Sequence, residues 1–312
     1  MQLLKRLFPK KTILFENITN DWLSYKRTSV KTSTFYRYQY IISQYIIPYF
    51  KHENIYLLQD YDFNIFITHL SNNQISKKTV KDIILVLKAI LKYIERKYKL
   101  DYTLDLIPLP KYSPEEIQIL DENEKNILEN YCLKSNSLRE MGIAICLNTG
   151  MRIGEICALK WENIDLENRV FIVNKSLQRI YKGKKDTSIL IDTSKTKNSI
   201  RKIPISDKIL TMLNMLNSNQ DFSGKEYFLT GTQNKHIEPR NYQYFFKKCL
   251  INCNIKEYHF HVLRHTFASN CIKIGMDAKT LSQILGHSTV NMTLNRYVHS
   301  SYNTQKTFLE KL

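Results

Sequence analysis

The sequence predicts a mainly α protein with a small antiparallel β-sheet, built as an N-terminal four-helix domain followed by an α+β domain. Three observations carry that expectation. Four stretches of helical periodicity precede residue 100, a proline-rich interruption follows, and three short β-prone runs stand between helices in the second half. With 312 residues, 43% hydrophobic and 24% charged, the chain is long enough to bury two cores.

Residues 1–11 form a basic leader, and residues 12–104 read as the helical domain. Thr19 or Asn20 is placed to cap a helix through Trp22, Leu23 and Tyr25. Thr32 or Ser33 would cap a second, through Phe35, Tyr38, Ile41, Ile42, Tyr45 and Ile46, with Pro48 expected to stop it. Asp60 or Asp62 opens a third with Phe63, Phe66, Ile67 and Leu70. Ser76 caps a fourth, with Val80, Ile83, Ile84, Leu87, Ile90, Leu91 and Ile94 on one stripe.

Outside these stripes stand Lys77, Lys78, Lys81, Lys88 and Lys92 on the fourth helix, and Lys31, Tyr36, Arg37 and Tyr40 around the second. Basic side chains interleaved with tyrosines suit phosphate and sugar contacts, and a solvated face is the alternative. The stretch 105–114, with Pro108, Pro110 and Pro114, reads as a linker, and residues 115–312 as the second domain with a tail. Ser113-Pro-Glu-Glu resembles a helix start. A helix through Met141 to Leu147 breaks at Asn148-Thr149-Gly150, and another covers Ile153 to Leu159. Val170 to Val173, Ser188 to Ile191 and Lys202 to Ile205 are the expected strands, and helices resume near Asp207.

The formal charge is +17, from 46 Lys and Arg against 29 Asp and Glu. The excess is shared: 17 basic against 9 acidic residues through position 110, and 29 against 20 after it. A polyanion touched by both domains fits that distribution, with nucleic acid or an acidic membrane surface as the candidates. Six scattered cysteines point to reduced thiols, and the lack of a signal-peptide pattern or an apolar run near 18 to 20 residues points to a cytoplasmic protein without a membrane span.

Four fragments carry chemistry. In Thr149-Gly-Met-Arg-Ile-Gly-Glu, Gly150 permits a turn that brings Arg152 to a helix start, a place suited to an anion. In His259-Phe-His-Val-Leu-Arg-His-Thr-Phe, His261, Arg264 and His265 share a helix face. Two histidines around a permanent cation suit phosphate better than metal. The competing zinc set, Cys249, Cys253, His259 and His261, lacks the usual spacing. Asp277 caps a further helix, Gly286 ends it, and His287 follows. Tyr297 stands ten residues later in Thr-Leu-Asn-Arg-Tyr-Val-His.

In this order and at this spacing, the fragments closely resemble the tyrosine recombinases, or phage integrases. The resemblance is sharp over residues 140–300, and the N-terminal module is similar to the family's SAM-like core-type DNA-binding domain. It implies a catalytic set of Arg152, Lys195, His261, Arg264, His287 and Tyr297, with Tyr297 the nucleophile that forms a 3′-phosphotyrosyl link. The lysine belongs to the turn Thr193-Ser-Lys-Thr-Lys, where Lys197 competes with Lys195. The implied activity is site-specific cutting and rejoining of double-stranded DNA at recombination sites, for integration, excision or resolution of a mobile element. No cofactor or metal is implied. The implied assembly is a homotetramer on DNA, with the tail, Tyr302 to Leu312, exchanged between protomers. A non-enzymatic DNA-binding protein and a type IB topoisomerase-like enzyme are the readings to be separated from it.

Overall fold

A computed structural model describes residues 12–111, 116–182, 186–193, 200–218 and 222–297. Contacts divide the chain into two units, one within Met1–Glu115 and Ile180–Ser188, the other within Glu116–Arg179 and Ile189–Leu312. The mainly helical expectation holds, with small sheets confined to the middle of the sequence.

Four helical stretches build the first unit. Helix α1 (Phe15–Ser29) begins a turn earlier than the capping residues suggest, because Leu14 and Asn54 form a β-bridge that fixes the chain entering it. Thr19 lies inside the helix, its hydroxyl donating to the Phe15 carbonyl at 2.8 Å. Helix α2 (Thr32–Ile41) runs through a π-helical turn (Ile42–Ile46) into α3 (Ile47–Phe50). Pro48 therefore does not stop the helix. It sits in the first turn of α3, where the π register has already interrupted the ladder that its missing N–H would break.

Helix α4 (Phe63–Asn72) is capped by Asp62, whose side chain accepts from the Asn64 N–H, and α5 (Lys77–Tyr98) by Ser76, which accepts from Thr79. Trp22, Ile46, Phe50, Phe66, Leu87 and Ile90 fill the core between them. Phe50 and Phe66 meet with ring centroids 4.8 Å apart.

In the second unit, α6 (Glu122–Lys134) opens on a capping box between Asp121 and Glu124. Part of the start read at Ser113-Pro-Glu-Glu lies outside the described residues. Helix α7 (Leu138–Thr149) is buried on nearly every side, from Met141 to Leu147. It ends at Gly150, whose φ of 66° is the left-handed turn that glycine adopts without a Cβ clash. The short α8 (Ile153–Ala158) follows at once.

Strands β1 (Ile164–Asp165), β2 (Val170–Val173) and β5 (Arg201–Pro204) make an antiparallel sheet in the order β1-β2-β5, with Phe171 opposite Ile203 and Val173 opposite Arg201. Strands β3 (Lys175–Tyr181) and β4 (Thr187–Thr193) pair separately. Helices α9 (Asp207–Ser218), α10 (Pro239–Asn252), α11 (His261–Lys273), α12 (Ala278–Leu285) and α13 (Val290–Tyr297) complete the unit. Helix α11 packs on α7, and α12 and α13 pack on each other and on α11. Among the described residues no helix is long and apolar enough to cross a membrane.

Candidate active site

Three arginines distant in sequence meet the C-terminal end of α12. The Ile284 carbonyl accepts from Arg201 Nε at 2.6 Å, the Leu285 carbonyl from Arg264 Nη2 at 2.9 Å, and the Gly286 carbonyl from Arg152 Nη2 at 3.1 Å. The last carbonyls of a helix have no partner within it and carry the negative end of its dipole, so cations are favoured there. Asp277 starts α12 by accepting from the Lys279 and Thr280 N–H groups, and Gly286 ends it with φ 66°. One short, well-capped helix thus fixes the positions of three guanidiniums.

Arg152 is the residue before α8 and keeps part of its side chain in solvent. Its Nη1 donates to Glu155 Oε1 at 2.8 Å, and its backbone N–H to Glu155 Oε2 at 2.8 Å. Arg264 is 2% exposed, and its Nη1 donates to the Gly150 carbonyl at 2.8 Å. Burial, then the charge of Arg152, pushes Arg264 down to about 9, still protonated at neutral pH. The turn at Gly150 serves both arginines: its carbonyl holds Arg264, and the chain leaving it presents Arg152.

Arg201 and Glu155 were not singled out as a pair by the sequence. Arg201 donates to both Glu155 oxygens, at 2.9 and 2.7 Å, in a buried bidentate ion pair. Burial would raise the Glu155 carboxyl, but Arg201 and then Arg152 hold it down at about 2. A sequence signal for Arg201 existed. In Arg201-Lys-Ile-Pro-Ile205 it stands in phase with the buried Ile203 and Ile205, so strand alternation turns it inward.

Tyr297 is the last residue of α13 and is 7% exposed. Its hydroxyl lies 2.7 Å from His265 Nδ1. His287 Nδ1 is 2.8 Å from the Thr293 hydroxyl, and the His287 and Tyr297 rings are parallel at 6.5 Å. His261 packs edge-on against His265 at 4.7 Å and keeps an exposed edge. Burial and the surrounding arginines push His261, His265 and His287 down to about 4, so all three imidazoles are neutral at pH 7. Burial raises the Tyr297 phenol, against the opposing pull of Arg264, Arg296 and Arg152.

The structure therefore gathers Arg152, His261, Arg264, His287 and Tyr297, and adds Glu155, Arg201 and His265. Lys195 and its competitor Lys197 lie outside the described residues, as does the tail from Tyr302. Cys249, Cys253, His259 and His261 are not gathered: among the described residues no three or more His, Cys, Asp or Glu side chains form a potential metal site. In the first unit, Lys31, Arg37, Tyr40, Lys77 and Lys78 are exposed, while Tyr36 and Lys81 are half-buried. Arg37 on α2 pairs with Asp82 on α5 at 2.5 Å, beside Lys78 and Lys81.

Comparison with known proteins follows the same lines. The profile of the phage integrase family matches residues 118–304, and that of the phage integrase N-terminal SAM-like domain matches residues 14–71. A tyrosine recombinase XerC-like protein of Caldanaerobacter subterraneus is 28% identical over 313 residues, covering 91% of this chain and 78% of that protein. The ICEBs1 integrase of Bacillus subtilis is 24% identical over 321 residues, covering 99% and 85%. Residues 82–397 of the Tn1549 transposon integrase, solved with circular intermediate DNA, superpose with a TM-score of 0.74 at 25% identity, covering 96% and 99%. The chain belongs to the phage integrase family, the tyrosine recombinases, enzymes that cut and rejoin DNA strands.

Proposed function

We propose that this chain is the site-specific recombinase of a mobile element, with Tyr297 as its nucleophile. The observation that carries the reading is the convergence of Arg152 and Arg264 on consecutive carbonyls beside the Tyr297 hydroxyl. Attack on a phosphodiester gathers negative charge on the non-bridging oxygens, and two guanidiniums answer it with charge-assisted hydrogen bonds. Among the described residues Arg264 is held by two carbonyls and no carboxylate, so a phosphate would supply an anion for its buried charge. His261 and His287 would hydrogen-bond the same phosphate, and Lys195 would protonate the leaving 5′ oxygen.

The 3′-phosphotyrosyl link conserves the broken bond's free energy, so a 5′ hydroxyl from another strand reverses the step. One tyrosine per chain cuts one strand, and exchange between two duplexes involves four strands. A homotetramer on DNA fits that stoichiometry, and the family resemblance adds tails exchanged between its protomers. Residues 12–104 would grip the duplex through Lys31, Tyr36, Arg37, Tyr40, Lys77, Lys78 and Lys81, and residues 115–312 would carry the chemistry, joined by the linker 105–114. Acting on the DNA of a mobile element, the enzyme would work in the cytoplasm.

The test is incubation with a pool of nicked suicide duplexes randomised at the centre. Wild type is expected to form a covalent adduct that Tyr297→Phe does not form. No adduct, or one undiminished by Tyr297→Phe, would overturn the reading. Sustained relaxation of any supercoiled plasmid would favour a topoisomerase instead.

A further inference from the structure

We infer that His265 accepts the proton of Tyr297 as the tyrosine attacks, a role that rests on Tyr297 being the nucleophile. His265 Nδ1 is 2.7 Å from the Tyr297 hydroxyl, and it makes the short polar contact to that atom. The Arg264 guanidinium faces the same hydroxyl and can only donate. The phenol's own hydrogen therefore needs an acceptor, and a neutral imidazole with its proton on Nε2 offers one at Nδ1.

The ionisable groups facing His265 are His261 and Arg264 on its own helix, and Arg296 and Tyr297 on α13. Two of these, Arg264 and Arg296, carry positive charge, so His265 starts neutral and able to receive a proton. The proton it takes up is then placed among cations, which favours its return during resealing. His287, by contrast, has its Nδ1 engaged by Thr293, and its ring lies parallel to the tyrosine rather than against the hydroxyl.

The step balances without a further reactant. The Tyr297 oxygen bonds to phosphorus, the bond from phosphorus to the 5′ oxygen breaks, and the phenolic proton moves to His265 Nδ1. The leaving 5′ oxygen takes its proton from a separate donor on the other side of the phosphate. Resealing reverses each transfer, and His265 returns the proton to Tyr297.

The experiment uses the full chain and a duplex recovered from the randomised nicked pool. Single-turnover adduct formation is followed from pH 6 to pH 9 for wild type, His265→Asn and Tyr297→Phe (the pH limits being roughly those that bracket neutrality). Asn places an acceptor near the position of Nδ1 but takes no proton. We expect His265→Asn to be slower by roughly a hundredfold at neutral pH, the lower end of general-base effects. The deficit should shrink as rising pH removes the phenolic proton without help. Rates within about twofold of wild type, or a deficit constant across pH, would overturn the proposal while leaving Tyr297 as nucleophile. An adduct that survives Tyr297→Phe would overturn the underlying reading instead. Gel shifts on the same duplex check that His265→Asn still binds. If it does not, 15N NMR of histidine-labelled wild type decides: an unprotonated His265 Nδ1 whose resonance moves in Tyr297→Phe supports the role, and a protonated Nδ1 overturns it.

Discussion

Arg201 holds Glu155 in a bidentate ion pair, with both side chains buried and the two residues 46 positions apart in sequence. Glu155 in turn fixes Arg152, so a side chain on β5 orients the guanidinium that stands just before α8. Removing one partner of a buried pair leaves an uncompensated charge, at a cost of about 3–5 kcal/mol. Arg201→Ala should lose stability on that order in urea unfolding. Arg201→Lys should retain more stability, yet slow adduct formation with little change in DNA affinity, because an ammonium cannot reproduce the fork. Wild-type kinetics in Arg201→Lys would show that Arg152 needs no such support.

The same pair sets an acid limit. Glu155 is held at about 2 in the folded chain against an ordinary value of 4.5. A depressed carboxyl stabilises the fold fully above its unfolded value and loses that contribution as pH falls from 4.5 toward 2. The shift corresponds to roughly 3 kcal/mol. Unfolding free energies measured between these limits should fall for wild type and change less for Glu155→Gln. Parallel curves for the two proteins would assign the acid loss elsewhere.

What the sequence made legible was local. Gly150 before Arg152, Asp277 and Gly286 bounding α12, and Ser76 opening α5 are each set by residues within one turn, and the structure agrees with all of them. The contacts that build the site are not local. His265 and Tyr297 are 32 residues apart, and Arg264 reaches Gly150 across 114. Apolar periodicity does not mark the buried face of α11, where Arg264 and Thr266 are buried alongside Val262, Leu263, Ala268 and Cys271. Thr19 misled for the opposite reason: a residue suited to capping was read at face value, while a β-bridge at Leu14 started the helix earlier. Strands β1 and β3 escaped because one has two residues and the other lies in a Lys-rich polar run.

Gly150 is a position where both backbone conformation and packing oppose a single added methyl group. Its φ of 66° disfavours any L side chain, and a Cβ there would stand 2.6 Å from Phe267 and 2.7 Å from Leu285. The left-handed conformation alone costs about 1–2 kcal/mol. Gly150→Ala should lose at least about 2 kcal/mol in urea unfolding, and adduct formation should fall with it, since the Gly150 carbonyl holds Arg264. An alanine variant as stable as wild type would mean that the turn rearranges freely.

The basic face of the first unit is tested by salt. Lys77 and Lys78 are exposed at the start of α5, whose first turn contains no acid. If each neutralises one phosphate, replacing both by Ala should reduce the slope of log K against log salt by about 1.8, at about 0.9 per contact. Fluorescence anisotropy over a range of KCl concentrations measures it. An unchanged slope would leave these lysines as a solvated face.

The second unit holds Arg152, Arg201, Arg264 and Arg296 around three histidines, with Glu155 the carboxylate paired among them. Burial and those charges hold His265 and His287 near 4, against an ordinary 6.5. For a histidine depressed in the folded state, the unfolded chain binds the extra proton first. Stability should therefore fall as pH drops from 6.5 toward 4, a window above the one Glu155 governs. An anion seated between Arg152 and Arg264 would offset the repulsion and raise the histidines. Sulfate should then raise the melting temperature more at pH 5 than at pH 7, and duplex DNA should do the same. Sulfate's general strengthening of burial acts at both pH values, so the difference between them is the quantity to read. Equal stabilisation at the two pH values would mean that no anion enters the cluster, and would remove the electrostatic reason for placing the phosphate there.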